Sequence, residues 1–122
     1  MKVMLLNGSP RRAGATAVML EALAAGLQKG GATTEIVELR SLDLKDCIGC
    51  FDCWLRTPGT CVFRDAMTDV LPRFGTADLL VFGTPLYHFG MTALLKMFID
   101  RTLPLAEPWL IRQADAFTGH PR

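Results

Sequence analysis

The stretch that decides the fold reads Lys2-Val3-Met4-Leu5-Leu6-Asn7-Gly8-Ser9-Pro10-Arg11-Arg12-Ala13-Gly14-Ala15-Thr16. Its apolar run, Lys2 to Leu6, is short and stops at a turn signal, as a strand buried on both faces does in a parallel sheet. From Ala15 to Lys29, Leu20, Leu23, Ala24 and Leu27 recur at helical spacing, and Gly30 and Gly31 end the helix. Between strand and helix lies an anion loop. A helix N-terminus offers unpaired N–H groups and the positive end of its dipole. Ser9 and Thr16 add hydroxyl donors, Arg11 or Arg12 adds a charged fork, and Gly8 and Gly14 permit close approach of the backbone. The loop is neither a dinucleotide Gly-x-Gly-x-x-Gly nor a P-loop, so a phosphate monoester is expected rather than a pyrophosphate or a nucleoside triphosphate. By itself it also reads as an ordinary strand-to-helix turn with two solvated arginines.

Outward from this stretch the pattern repeats. Thr34 to Leu39 is β-branched enough for a second strand, and Leu79 to Phe82 is a third, ended by Gly83, Thr84 and Pro85. Asp65 is placed to cap a helix with the face Met67, Val70, Leu71 and Phe74, bent or shortened by Pro72. Leu94, Met97, Phe98 and Arg101 mark another helix, stopped by Pro104. Asp46 to Cys61 reads as a loop, and Leu105 to Arg122 gives no element. Alternating strands and helices over one domain, residues 1–122, predict an α/β protein with a doubly wound parallel sheet.

Composition narrows the function. Thirteen Lys plus Arg balance twelve Asp plus Glu, a net charge of +1, and half of the 122 residues are hydrophobic. That excludes a basic nucleic-acid arm, so no nucleic-acid partner is expected. No apolar stretch reaches the roughly 20 residues that cross a bilayer, and the first apolar run is too short for a signal-peptide core. A cytoplasmic protein without a membrane partner is the expectation, and in that compartment clustered thiols read as metal ligands or redox groups.

The third strand leads into Thr84-Pro85-Leu86-Tyr87-His88-Phe89-Gly90-Met91-Thr92. Ligands of open α/β sheets sit beyond the carboxyl ends of the strands, where flat side chains such as Tyr87, His88 and Phe89 could stack on an aromatic ring. Backbone N–H groups around Leu86 to His88 could meet ring or ribityl oxygens. His88 is a possible proton donor or simply solvated, and Tyr87 is as easily a packing residue.

Taken together, Asn7-Gly8-Ser9-Pro10-Arg11 with Gly14 and Thr16, then Thr84-Pro85-Leu86-Tyr87 and Met91-Thr92-Ala93-Leu94-Leu95-Lys96-Met97-Phe98-Ile99-Asp100-Arg101, resemble the NADPH-dependent FMN reductase group of flavodoxin-like proteins. The resemblance runs from Lys2 to Arg101. It implies FMN, with its phosphate at Ser9, Arg11, Ala15 and Thr16 and its ring beside Pro85, Leu86, Tyr87 and His88. Ala15 departs from the family, where Asn or another polar residue is common, so one side-chain donor is missing. A flavodoxin-like sheet has five parallel strands, and this chain supplies three, so the last two are expected to be absent.

Cys47, Cys50, Cys53 and Cys61 form Cys-x2-Cys-x2-Cys-x7-Cys. Thiolates at every third position of a tight loop suit an iron–sulfur cubane; zinc more often takes separated pairs, and a redox disulfide would leave two thiols unused. The run resembles the compact motif of the iron–sulfur flavoproteins, a branch of the same family, which implies a 4Fe-4S cluster on all four cysteines. Relatives that keep Cys here without a metal leave an empty loop as the alternative, with Phe51 and Trp54 shielding a cluster or packing under the loop.

The resulting expectation is an oxidoreductase that passes electrons from NAD(P)H through FMN to a small-molecule or protein acceptor. Hydride transfer to flavin requires no protein acid or base, so no catalytic residue is assigned. A flavodoxin-type electron carrier, and a structural metal-binding domain without flavin, are the alternatives. The third strand lies at an open edge, so either the chain is a truncated form of a longer protein or a partner completes the sheet and the flavin site, and a homo-oligomer is expected.

Overall fold

A computed structural model describes residues 1–113 and 116–121 of the chain. Its centre is a three-stranded parallel sheet in the order β2-β1-β3, built from β1 (Lys2–Asn7), β2 (Thr33–Glu38) and β3 (Leu79–Gly83). The strands expected from sequence are all present, and three strands in this order are the first part of a flavodoxin-like sheet.

β1 is central and buried from Val3 to Asn7. Its side chains alternate between two cores, because successive residues of a strand face opposite sides. Val3 and Leu5 pack with Leu20 and Ala24 of α1 (Ala15–Lys29). Met4 and Leu6 pack on the other face with Val37, Leu39, Met67, Val70, Leu95 and Phe98. That second core takes its helical residues from α3 (Met67–Gly75) and α4 (Ala93–Asp100). A sheet covered by helices on both faces is the doubly wound architecture that the sequence predicts.

Two segments differ from the sequence reading. Asp46 to Cys61 contains a single helical turn, α2 (Asp52–Leu55), entered through Phe51 in a left-handed conformation. The tail, for which no element is predicted, forms an antiparallel hairpin of β4 (Ala106–Gln113) and β5 (Ala116–Pro121), separate from the parallel sheet. Pro108 and Pro121 inside these strands obscure the pattern, since proline is depleted from regular strands. Two-stranded pairing of this kind does not extend the parallel sheet, and β3 remains its outer edge among the described residues.

Candidate functional site: two sutured loops and a thiol pocket

β1 and β3 are neighbours with Asn7 opposite Gly83, so the loops that follow them leave the sheet side by side. The backbone N–H of Gly8 donates to the Gly83 carbonyl at 2.8 Å, and the Thr92 hydroxyl donates to the Gly8 carbonyl at 2.7 Å. Thr92 also caps α4 by accepting from the Leu95 N–H at 3.2 Å. Its own N–H donates to Thr84 Oγ1, which ties the two ends of the second loop together. This close approach requires glycine at position 8, where a Cβ would stand 2.9 Å from the Leu95 Cβ and 3.2 Å from the Gly83 oxygen.

Asn7, fully buried, organises the first loop. Its Nδ2 donates to both Glu38 carboxylate oxygens at 3.0 and 3.1 Å, and its Oδ1 accepts from the Ser9 N–H at 3.0 Å. Ser9 Oγ in turn accepts from the Arg11 N–H, and Gly14 lies against both residues. Ser9 is therefore buried with its N–H already used, leaving the hydroxyl hydrogen as its donor. Arg11, Arg12 and Ala15 are exposed and Thr16 is half-buried at the first turn of α1. In the second loop Pro85 is half-buried, while Leu86, Tyr87, His88 and Phe89 are exposed. Tyr87 and Gly90 exchange backbone hydrogen bonds around His88 and Phe89, both at positive φ (44° and 64°), a strained geometry for side chains of this size. Phe89 is 93% exposed.

The four cysteines, all free, line one small apolar hollow of about 20 Å³ together with Phe51, Phe63 and Arg101. Cys47 and Cys50 are exposed, Cys61 is intermediate and Cys53 is buried. Burial, then the neighbouring Cys61, pushes the Cys53 thiol above its ordinary value. Phe51 stacks on Trp54 at 5.3 Å, and the Trp54 indole N–H donates to the Ala106 carbonyl at 2.8 Å, which anchors α2 to the start of β4.

The neck of this loop is a buried ion pair. Arg101 and Asp65 form a two-pronged bridge at 2.6 and 3.0 Å, their side chains 1% and 0% exposed. Asp65 also accepts from the N–H groups of Lys45 and Met67, and Arg101 donates to the Lys45 carbonyl at 2.6 Å. Residues 45 and 65, which bracket the cysteines, are thus held by one pair of side chains. Burial alone would raise the Asp65 pKa, but these hydrogen bonds and the Arg101 charge bring it below the usual carboxylate value. Burial likewise opposes the Arg101 charge, and its hydrogen bonds to Asp65 together with the nearby Cys61 and Asp65 more than restore it.

The profile of the NADPH-dependent FMN reductase family matches residues 1–121. The chain belongs to that family. Among its members, an iron–sulfur flavoprotein of Methanocaldococcus jannaschii is 35% identical over 105 residues, 86% of this chain and 53% of the relative. An iron–sulfur flavoprotein of Archaeoglobus fulgidus is 36% identical over 102 residues, 84% of this chain and 49% of the relative. The solved NAD(P)H:quinone oxidoreductase of Methanothermobacter marburgensis superposes with a TM-score of 0.70 at 26% identity, covering 84% of this chain and 53% of that one. The chain spans about half the length of the curated relatives it matches.

Within this reductase-family fold, the structure brings the predicted phosphate residues and the predicted ring-side residues onto adjacent loops, and the four cysteines onto one hollow. Sequence reasoning missed Asn7, Glu38, Thr92 and the partnership of Asp65 with Arg101. Asp65 does serve the start of α3, through the Met67 N–H, but its main partner is Arg101. The signal was an arginine on the otherwise apolar face Leu94, Met97 and Phe98, since a buried guanidinium requires a carboxylate.

Proposed function

We propose that this chain forms the flavin-binding part of an oxidoreductase that passes electrons from NAD(P)H through FMN to an acceptor, with the four cysteines as ligands of a 4Fe-4S cluster. The observation that carries the flavin reading is the suturing of two loops at the carboxyl ends of neighbouring strands. FMN, when bound, supplies hydride acceptance and release of electrons singly or in pairs. The protein's part is binding and orientation. Ser9 Oγ, Arg11, Thr16 and the free N–H groups at Ala15 and Thr16 would hold a phosphate at the start of α1. Pro85, Leu86, Tyr87 and His88 would lie along the ring system, and no side chain is assigned to proton transfer.

For the cluster, the donor set fits. Four free thiols surround an apolar hollow beside a buried cation. Among the described residues no three Cys, His, Asp or Glu side chains gather as a single ion requires. Cys47, Cys50, Cys53 and Cys61 would hold a cluster through their thiolates, and it would supply one-electron transfer. The hollow is small, and Cys47 and Cys50 on its exposed side flank Gly49, which has a positive φ. The similarity to iron–sulfur flavoproteins supports the same reading.

The similarity to a solved NAD(P)H:quinone oxidoreductase favours a quinone-type acceptor. No helix among the described residues is long and apolar enough to cross a membrane. Clustered thiols as metal ligands favour a reducing compartment, the cytoplasm. The β3 edge, with Leu79 41% and Phe82 44% exposed, would be covered by further sheet, from a second copy in a homo-oligomer. A steady-state assay of the FMN-loaded protein with NADPH and a quinone tests the function. Turnover is expected; slow NADPH oxidation with rapid reduction by a protein donor would instead identify an electron carrier.

A further inference from the structure

Arg101 is the one buried cation at the thiol pocket among the described residues, and not all of it is used. Both terminal nitrogens are engaged: Nη1 donates to the Lys45 carbonyl and to Asp65, and Nη2 donates to the other Asp65 oxygen. The guanidinium carbon also stands 5.3 Å from the Phe63 ring centre. Nε is different. It is buried and makes no hydrogen bond of good geometry, on a side chain that lines the same hollow as Cys47, Cys50, Cys53 and Cys61 and interacts with the Cys61 thiol. Buried N–H groups are nearly always paired, so an orphan on a side chain that lines a site of soft anionic ligands is an unfilled donor position. Hydrogen bonds to sulfur and local net charge are two of the levers that set the potential of a thiolate-bound cluster.

We propose that Arg101 is a positioning residue for the thiol-bound centre: its buried charge and free Nε–H raise the reduction potential of the group that the four cysteines hold. This rests on reading the cysteines as cluster ligands. Reduction adds one electron, delivered from NAD(P)H by way of the flavin; no covalent bond forms or breaks and no proton moves at Arg101. The added negative charge is stabilised by the nearby cation and by a sulfur accepting from Nε. Asp65 limits the effect, since its carboxylate offsets part of the charge, but it is tied to the far side of the guanidinium and leaves Nε free.

The test begins with anaerobically prepared parent protein, assayed for iron and acid-labile sulfide, followed by a dye-mediated redox titration. The variant Asp65→Asn/Arg101→Gln removes both charges and keeps hydrogen-bonding side chains of similar length at the neck. Its midpoint should fall by at least tenfold in the ratio of reduced to oxidised centre at a fixed potential, about 59 mV for one electron. Arg101→Lys, which keeps the cation, should restore most of that difference. Iron and sulfide retained with an unmoved midpoint would overturn the proposal while leaving the ligand assignment intact. A parent without iron and sulfide would remove both. A second measurement does not depend on any variant folding: in parent protein labelled with 15N-arginine, the reduced paramagnetic centre should show a 15N hyperfine coupling. Absence of that coupling would also overturn it.

Discussion

The loop after β1 is held along its whole length, whereas the loop from Lys45 to Asp65 is held at its neck. In the first, Asn7, Ser9, Gly8 and Thr92 make successive hydrogen bonds into the sheet and into the neighbouring loop, while residues 10–13 and the first turn of α1 face outward. In the second, Asp65 and Arg101 fix the ends, α2 is pinned through Trp54, and Cys47 and Cys50 remain exposed. The difference matches what each would hold on the proposed reading. A phosphate is met by preset donors that need little rearrangement, which lowers the ordering cost of binding. Cysteine ligands must be deprotonated and drawn in by the group they bind, so exposed cysteines between fixed points would suit them. Both loops depend on α4, whose N-cap Thr92 supports the loops after β1 and β3 and whose C-cap Arg101 supports the thiol loop, about 13 Å apart along the helix.

The neck should be the more fragile of the two. Asp65→Ala leaves a buried guanidinium without its carboxylate and should cost about 3–5 kcal/mol, read by urea denaturation. A loss under 1 kcal/mol would mean that the ion pair does not organise the loop. pH offers the same test without mutation. Because Asp65 titrates below its ordinary 3.8 when folded, its contribution is complete above that value and is lost as pH falls through the lower folded one. The acid limb of the stability curve should flatten in the Ala variant.

The preset loop should fail in two separable ways. Gly8→Ala forces a Cβ against Leu95 and should cost roughly 1–3 kcal/mol while parting the two loops, so FMN affinity falls with stability. Substituting Arg11 and Thr16 together touches only the outward donors. FMN affinity should fall at least tenfold, since a hydrogen bond to a charged group contributes about 1.5–3 kcal/mol, with little change in the urea midpoint. Unchanged affinity in the double variant would remove the phosphate assignment.

The smallest expected effect lies among the thiols. Burial and its thiol neighbours raise the Cys53 pKa, so in metal-free protein Cys53 should be alkylated most slowly of the four near pH 8. The same shift means that Cys53 weakens the fold only as pH rises from 9.0 through its higher folded value. Uniform alkylation rates would show that the loop opens freely, without a distinct inner cysteine.

Much of this organisation is legible in the residues. β1 announces itself because a strand buried on both faces is a pure apolar run, and the loops after β1 and β3 are punctuated by Gly and Pro where the chain turns. The four cysteines share a spacing, and the structure gathers them on one hollow. What the residues hide are long-range pairings. Asn7 with Glu38, and Asp65 with Arg101, lie 31 and 36 positions apart and carry no local period. The hairpin from Ala106 is obscured for a different reason: its prolines break the alternation by which strands are recognised.

The claim that one chain joins a flavin site to a thiol-held cluster is tested most directly by anaerobic purification followed by a visible spectrum and assays of FMN, iron and sulfide. The account predicts structured flavin bands in the blue over a broad brown shoulder, with iron and acid-labile sulfide in equal amounts. Protein carrying stoichiometric zinc, or neither iron nor flavin after reconstitution, would contradict it.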